Sequence, residues 1–211
     1  TPMTQVKFFV KSICNSIQKR KIEKVLKSEN IDIIHINGLD SSIGAEIAQK
    51  LKIPYVWHIR QFMEADLGKK LFREKYVYRL VARASSVIAI SKDVQAKFEP
   101  LLGRKMDLVY NGVPVEKYKL EDVTRFESPV TRMLVIGANT GGTLEIVEDG
   151  YNGLLYEEGN PESLAGRIEY AMEHKMDMQI LLDRGYLDSI NRFSSTTLIE
   201  SILNLYKKII F

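Results

Sequence analysis

The stretch VIGANTGGTLEIVEDG places two glycines where a predicted strand turns into a predicted helix. Glycines at such a turn let a ligand approach the backbone. The free N–H groups and the dipole of the helix then favour an anion, typically a phosphate group. Many strand–helix turns carry glycine for backbone geometry alone. Thr140, Gly141 and Gly142 are therefore candidates for phosphate contact, with a tight turn as the alternative.

His58 is a second candidate for chemistry. It follows the apolar run IPYVW and precedes Arg60 and the acidic residues Glu64 and Asp66. An imidazole at the end of a strand could donate a hydrogen bond to a sugar hydroxyl or a phosphate. The alternative is a packed histidine that serves the fold. His35 lies inside an apolar run, and we interpret it as structural.

A basic run, GKKLFREKYVYRLVAR, interleaves aromatic residues with six Lys and Arg side chains. A basic amphipathic helix can lie on an anionic membrane surface. It can equally be a solvated helix whose aromatic rings pack into the core. We favour the second interpretation and keep peripheral contact with an anionic membrane as a hypothesis.

The amino-acid composition excludes several classes of protein. Of the 211 residues, 45% are hydrophobic and 27% are charged, which is typical of a folded domain rather than of disorder. The net charge of +3 is too small to indicate a nucleic-acid partner. The single cysteine, Cys14, excludes a disulfide framework and a multi-cysteine metal site, and it fits a reducing cytoplasm. We expect neither a signal peptide nor a membrane span.

Short apolar runs alternate with segments in which apolar residues have helical spacing, such as Ile43, Ile47 and Leu51. This alternation predicts an α/β fold with a parallel sheet covered on both faces. The predicted strands are residues 31–37, 53–59, 85–90 and 105–113, and the predicted helices are residues 4–29, a segment capped by Ser41 or Ser42, residues 66–84 and residues 92–102.

Ligands of such sheets bind beyond the carboxyl ends of the strands. The candidate ligand-binding residues there are Asn37, Gly38, His58, Arg60, Ser91 and Asn111. The charged segment 114–132 reads as a linker. A strand at MLVIGAN, a helix capped by Asn160 with Pro161 in its first turn, a helix near 177–190 and a last helix capped by Ser194 or Ser195 follow.

Taken in order, several segments resemble the GT-B glycosyltransferases of family 4. They are IDIIHING, IPYVWHIRQF, ASSVIAIS, LVYNGVPVEKY, LVIGANTGGTLEIVEDGYNGLLYEEGNPESLAGRI and RFSSTTLIESILNLYKKI. The resemblance implies two Rossmann-like lobes, both incomplete here: an acceptor-side lobe at 1–113, a junction at 114–132, and a donor-side remnant with the closing helix at 133–211.

The resemblance also implies a reaction and its residues. Family members transfer a sugar, with retention, from a nucleotide-diphosphate sugar to an acceptor such as a glycan or a lipid-linked sugar, without metal or organic cofactor. His58 matches the family's catalytic histidine, although Ile59 replaces the acidic residue that usually follows. The resemblance matches Thr140, Gly141, Gly142 and Glu145 to the family's donor-side motif. The expected substrate-binding residues are these four together with Asn37, Gly38, Arg60, Ser91 and Asn139.

The chain departs from the family pattern in two places. It begins at a later helix than family members do, and residues 114–132 stand where they carry an arginine–lysine pair and a motif of two glutamates. Arg125 alone could remain of that pair. We therefore expect that segments of a longer enzyme are absent from this sequence and that these residues alone transfer sugar poorly, because the developing charge on the diphosphate lacks its cations.

Two alternatives remain open. A nucleotide-sugar epimerase of the same fold would need carboxylates facing the sugar, and only Glu64 or Asp66 near His58 offers them. A non-catalytic partner of a glycosyltransferase would need none of this chemistry. For the enzyme we expect a cytoplasmic location, at the inner face of the membrane if the basic helix binds lipid, and a role in surface polysaccharide or glycolipid synthesis.

Overall fold

The computed structural model describes residues 17–39, 42–62, 68, 71, 73–115 and 134–211. It separates into two compact units. One comprises the chain up to Ile90 with Val94–Asp107 and Asn204–Phe211, and the other comprises Ser91–Asp93 and Leu108–Leu203. Cys14, Glu64, Asp66, Arg125 and most of the predicted linker lie outside the described residues.

The first unit is a four-stranded sheet with helices between its strands. The strand order is β1-β2-β3-β4, and the first three strands are parallel, with Ile36 opposite Trp57 and Trp57 opposite Val87. The predicted parallel sheet is thus confirmed. Its elements are α1 (residues 17–28), β1 (Ile34–Asn37), α2 (Ile43–Leu51), β2 (Tyr55–Ile59), α3 (Glu74–Ala82), β3 (Ser86–Ala89), α4 (Lys92–Leu102) and β4 (Asp107–Leu108).

The two faces of this sheet differ in character. Ile36, Trp57 and Val87 share one face and join the hydrophobic core with side chains of α2, α3 and α4. Because the side chains of a strand alternate, the registered residues His35, Val56 and Ser86 and their neighbours Asn37, His58 and Ile88 share the opposite face. Among the described residues of these three strands, the first face therefore carries no ionisable group other than the Tyr55 hydroxyl, while the other carries two histidines.

Helix α3 begins later than predicted. The sequence predicted a helix over 66–84, but Gly68 has φ +59° and Leu71 lies outside any helix. Arg73, the residue before the helix, also adopts a left-handed conformation, with φ 55°. A right-handed helix cannot pass through such residues, so the prediction was wrong in its first turns.

The side chains of α3 support the interpretation as a solvated helix. Tyr76 and Tyr78 pack against the core, while Arg73, Lys75 and Arg79 are exposed. The Arg73 guanidinium lies 4.4 Å from the centre of the Tyr76 ring.

In α2, Ser42 occupies the predicted capping position, but its hydroxyl donates to Glu46 instead of accepting from a backbone N–H.

The second unit contains a pair of parallel strands and most of the carboxyl-terminal helices. Strands β5 (Ile136–Ala138) and β6 (Leu154–Tyr156) flank the short helix α5 (Thr143–Ile146). Helices α6 (Pro161–Glu173), α7 (Lys175–Phe193) and α8 (Ser195–Ile210) follow, and the last residues of α8 belong to the first unit.

Two predicted helix caps are confirmed in this unit. The Asn160 side chain accepts a hydrogen bond from the backbone N–H of Ser163 at 3.0 Å, with Pro161 in the first turn of α6. Of the two serines predicted to cap the last helix, Ser194 does so: its hydroxyl accepts from the N–H of Thr197 at 3.0 Å.

Gly112 is required by close packing of backbones. The Val113 N–H donates to the carbonyl of Phe193 at 2.8 Å, and the Ser195 N–H donates to that of Val113 at 2.9 Å. A Cβ on Gly112 would lie 2.8 Å from the carbonyl oxygen of Ser194. The predicted strand 105–113 is therefore shorter, at Asp107–Leu108, because the chain leaves the sheet to pair with this segment.

Replacing Gly112 by alanine should destabilise the second unit by roughly 1–3 kcal/mol, because the new methyl group overpacks against backbone atoms that cannot rotate away. The measurement is urea unfolding followed by circular dichroism. Gly166→Ala is the matched control. Gly166 lies inside α6 with no atom within 4 Å of an added Cβ, so this variant should be as stable as the parent or slightly more. Equal stability of both variants would contradict the packing argument.

Candidate functional site

The carboxyl edge of the first sheet holds Asn37, Gly38 and Arg60. Asn37 is exposed at the end of β1, and Arg60 follows β2 and is half-buried. Gly38 has φ +91°. Its N–H donates to the carbonyl of His58 at 2.9 Å, and its own carbonyl accepts from the Trp57 indole N–H at 2.8 Å. The backbone after β1 is thus fixed, so that Asn37 faces solvent at the edge where ligands bind in parallel sheets.

His58 lies inside the sheet and not at its rim. The residue is only 1% exposed, and its Nε2 has no hydrogen-bond partner in the described part of the chain. Its ring is 5.4 Å from that of His35, edge to face. His35 in turn shares a hydrogen bond between its Nδ1 and the hydroxyl of Tyr206. As placed here, His58 offers no ring nitrogen to a substrate.

Burial, complete for His58 and partial for His35, favours the neutral form of both histidines. It lowers the pKa of His58 to about 4, assisted by the positive charge of Arg60 and by His35. It also lowers the pKa of His35, again with a contribution from Arg60. A buried imidazolium would lose its hydration without gaining a carboxylate partner among the described residues, so the neutral ring is favoured.

The predicted glycine turn is exposed at the carboxyl end of β5. The Asn139 N–H donates to the carbonyl of Tyr156 at 2.8 Å, which ties the turn to the neighbouring strand. Gly141 has φ +49°, whereas Gly142 has φ −63°. A Cβ on either glycine would meet no atom within 4 Å. Gly141 is thus required by backbone geometry, whereas Gly142 is not.

Glu145 belongs to the same segment but points inward. It is 9% exposed, and its carboxylate accepts hydrogen bonds from the backbone N–H groups of Lys92 at 2.8 Å and Asp93 at 3.3 Å. Ser91, the predicted ligand that precedes them, is half-buried and belongs to this unit too. Ser91 therefore lies near Glu145 in space, because it directly precedes Lys92. Asn111, in contrast, is exposed and directly precedes Gly112.

Sequence reasoning missed two residues on Glu145. The side chain of Tyr110 lies beside Glu145, and burial, followed by the interaction with Glu145, raises the pKa of Tyr110. The Arg192 guanidinium donates to the backbone carbonyl of Glu145 at 2.7 Å. No motif signals these contacts, because they join residues 35 and 47 positions apart.

The described residues offer neither a metal-ion cluster nor a membrane span. Within the described ranges, no group of three or more His, Cys, Asp or Glu side chains is arranged to hold a metal ion. None of the helices in that part of the chain is both long enough and apolar enough to cross a membrane.

The buried state of His58 predicts a pH dependence of stability. Its pKa is 6.5 when unfolded and about 4 when folded, so between these values the unfolded chain binds a proton that the folded chain does not. The free energy of unfolding should fall as pH drops from about 6.5 to about 4, by up to about 1.4 kcal/mol per pH unit. Trp57, the only tryptophan in the sequence, is fully buried in the same strand and reports unfolding by fluorescence.

His58→Phe should reduce this pH dependence, leaving the contribution of His35. His174→Gln is the control, because His174 is exposed at the end of α6 and should leave the dependence unchanged. An identical pH dependence in the parent and in His58→Phe would show that His58 does not titrate in this way.

Solved structures with a similar fold come from several organisms. A glycosyltransferase from Rickettsia africae is 13% identical, with TM-score 0.73 over 90% of this chain and 80% of that one. Anabaena HepE, solved in complex with UDP, is 15% identical, with TM-score 0.64 over 90% of this chain and 82% of that one. Sucrose-phosphate synthase from Thermosynechococcus elongatus is 10% identical, with TM-score 0.62 over 90% and 77%. These likenesses concern the fold.

Two family models match the sequence in succession. No curated protein matches it. The model described as Glycosyl transferases group 1 matches residues 126–186, which include the glycine turn and Glu145. The model described as Glycosyltransferase Family 4 matches residues 8–117, just over half of the chain. The expected α/β fold with two incomplete Rossmann-like lobes of the GT-B type is confirmed, and the chain belongs to glycosyltransferase family 4.

Proposed function

We propose that this chain belongs to an enzyme that moves a sugar, with retention, from a nucleotide-diphosphate sugar to a glycan or lipid-linked acceptor in surface polysaccharide or glycolipid synthesis. The observation that carries the donor assignment is the exposed turn Asn139–Gly142 at the carboxyl end of a parallel strand. HepE, which has a similar fold, has been solved with UDP and with UDP-glucose.

The proposed reaction breaks the bond between the anomeric carbon and the diphosphate oxygen and forms one to the oxygen of an acceptor hydroxyl on the same face of the sugar, while the hydroxyl proton leaves with the diphosphate. Negative charge grows on the leaving diphosphate, so backbone N–H groups aimed at it would favour the transition state. Thr140, Gly141 and Gly142 are proposed to approach the diphosphate. No metal or organic cofactor is part of this proposal.

The acceptor is proposed to bind at the carboxyl edge of the first sheet. Asn37 offers an exposed amide there, and Arg60 offers a guanidinium, which lowers the pKa of both His58 and His35. His58, our candidate catalytic residue, would act only if its ring became accessible. Its burial makes Arg60 and Asn37 the better candidates for direct contact in this conformation.

The donor site can be tested with Gly142→Ala. The φ of −63° suits alanine and its Cβ meets no protein atom, so the fold should tolerate the methyl group. A methyl group at the turn would still keep a phosphate from the backbone, and we expect the Kd for UDP-glucose to rise at least about tenfold. Isothermal titration of parent and variant measures this.

Gly166→Ala serves as the control and should bind like the parent. Unchanged affinity in Gly142→Ala would remove the turn from the donor site. If the parent bound none of a panel of UDP-, GDP- and ADP-sugars at millimolar concentration, the chain would lack the proposed donor function.

Contact with an anionic membrane is a further part of the proposal. Arg73 and Arg79 are exposed on α3, and Lys69 and Lys70 precede them outside the described residues. Each cation near an anionic surface contributes about 1 kcal/mol of attraction. Replacing these four residues by serine should therefore release the protein from phosphatidylglycerol vesicles in co-sedimentation.

The matched control removes four cations elsewhere and should keep binding to the vesicles. A loss of binding that was equal in both variants would indicate attraction by net charge, without a defined basic surface. The control residues are exposed: Lys105, Lys175, Lys207 and Lys208.

A further inference from the structure

Glu145 is placed differently from a residue that contacts a sugar. Gly141 and Gly142, a few residues before it, are exposed, whereas Glu145 is 91% buried. Both of its carboxylate oxygens accept hydrogen bonds from the protein, Oε2 from the N–H of Lys92 and Oε1 from that of Asp93. The Tyr110 side chain lies beside this carboxylate, which helps burial to raise the pKa of Tyr110. The carboxylate thus has its partners within the protein.

The backbone around Glu145 is held by a second set of contacts. The Arg192 guanidinium donates to the Glu145 carbonyl at 2.7 Å and lies 3.6 Å from the carboxylate of Asp188. The amide of Asn152 donates to Asp188 at 2.8 Å and to the carbonyl of Ile146 at 3.0 Å. Both the side chain of Glu145 and the carbonyl groups that end α5 are therefore fixed.

Helix α5 needs such anchors because it has only four residues, Thr143–Ile146. A helix this short does not form by itself, since nucleation costs more than one turn of hydrogen bonds returns. Its geometry must come from tertiary contacts, and Glu145 is the residue of α5 that is buried. The Thr140–Gly142 turn leads directly into this helix, so its conformation depends on the same contacts.

We propose that Glu145 is a positioning residue, which together with Tyr110 and Arg192 fixes the Thr140–Gly142 turn, and that it does not contact the donor sugar. The consequence for donor binding rests on the proposed function. We call the contacts that hold Glu145, made with Lys92, Asp93, Tyr110 and Arg192, the clamp. These contacts lie within the protein and can be tested without any ligand.

The first experiment measures amide hydrogen exchange in Glu145→Gln. The glutamine amide group would present its own N–H to one of the two backbone donors, so one contact is lost and replaced by repulsion. Exchange at the N–H groups of Leu144, Glu145 and Val147, which bond within the turn and α5, should be at least about tenfold faster. Tyr110→Phe should show a smaller increase. Glu148→Gln, which changes an exposed carboxylate nearby, should show none.

The second experiment compares the affinities of these variants for UDP and for UDP-glucose. A positioning residue affects the turn that would hold the diphosphate common to both ligands, so Glu145→Gln should weaken both by the same factor. If Glu145 bound the sugar, its substitution would weaken the affinity for UDP-glucose alone. Equal losses together with faster exchange support the proposal.

Unchanged exchange in Glu145→Gln would overturn the clamp, and a loss confined to UDP-glucose would overturn the claim that Glu145 avoids the sugar. If the parent bound neither nucleotide, the proposed function would fail, while faster exchange in Glu145→Gln would still support the clamp. If Glu145→Gln did not fold, Tyr110→Phe would decide: faster exchange in α5 supports the clamp, and parental exchange overturns it.

Discussion

The burial of both faces of a parallel sheet is the constraint on which the rest of this structure depends. Where helices cover the strands, a side chain within a strand cannot reach solvent, and chemistry is left to residues beyond the carboxyl ends. Asn37 and the Asn139–Gly142 turn satisfy this condition. His58, one residue before the end of β2, does not, and it is 1% exposed.

Burial also explains how the two units treat their polar groups. In the first unit, His58 and His35 avoid the cost of a buried charge by staying neutral, with His35 hydrogen-bonded to Tyr206. In the second unit, the carboxylate of Glu145 accepts hydrogen bonds from the backbone N–H groups of Lys92 and Asp93. A buried imidazole can avoid its charge by losing its proton, whereas a buried carboxylate needs hydrogen-bond donors from the protein.

The structure therefore contains two kinds of polar residue: some are accessible to a ligand, and others hold the accessible ones in place. Asn37, Arg60 and the glycine turn are the groups that we propose for contact with the nucleotide sugar and its acceptor. Glu145, Arg192 and Tyr110 lie behind the turn and determine its geometry. A site on a short turn followed by a helix of four residues depends on such support, because neither element is stable by itself.

The sequence by itself determined the alternation of strands and helices, the parallel sheet, the helix cap at Asn160, a further cap at Ser194 or Ser195, and the family, because apolar periodicity, capping residues and motif order are local signals. Only the tertiary structure decided the burial of His58, the late start of α3, the short β4 and the partners of Glu145. Each of these depends on contacts between distant segments or on a left-handed residue such as Arg73. Local patterns carry no record of them, since the energy of a long-range contact appears only when packing brings its two sides together.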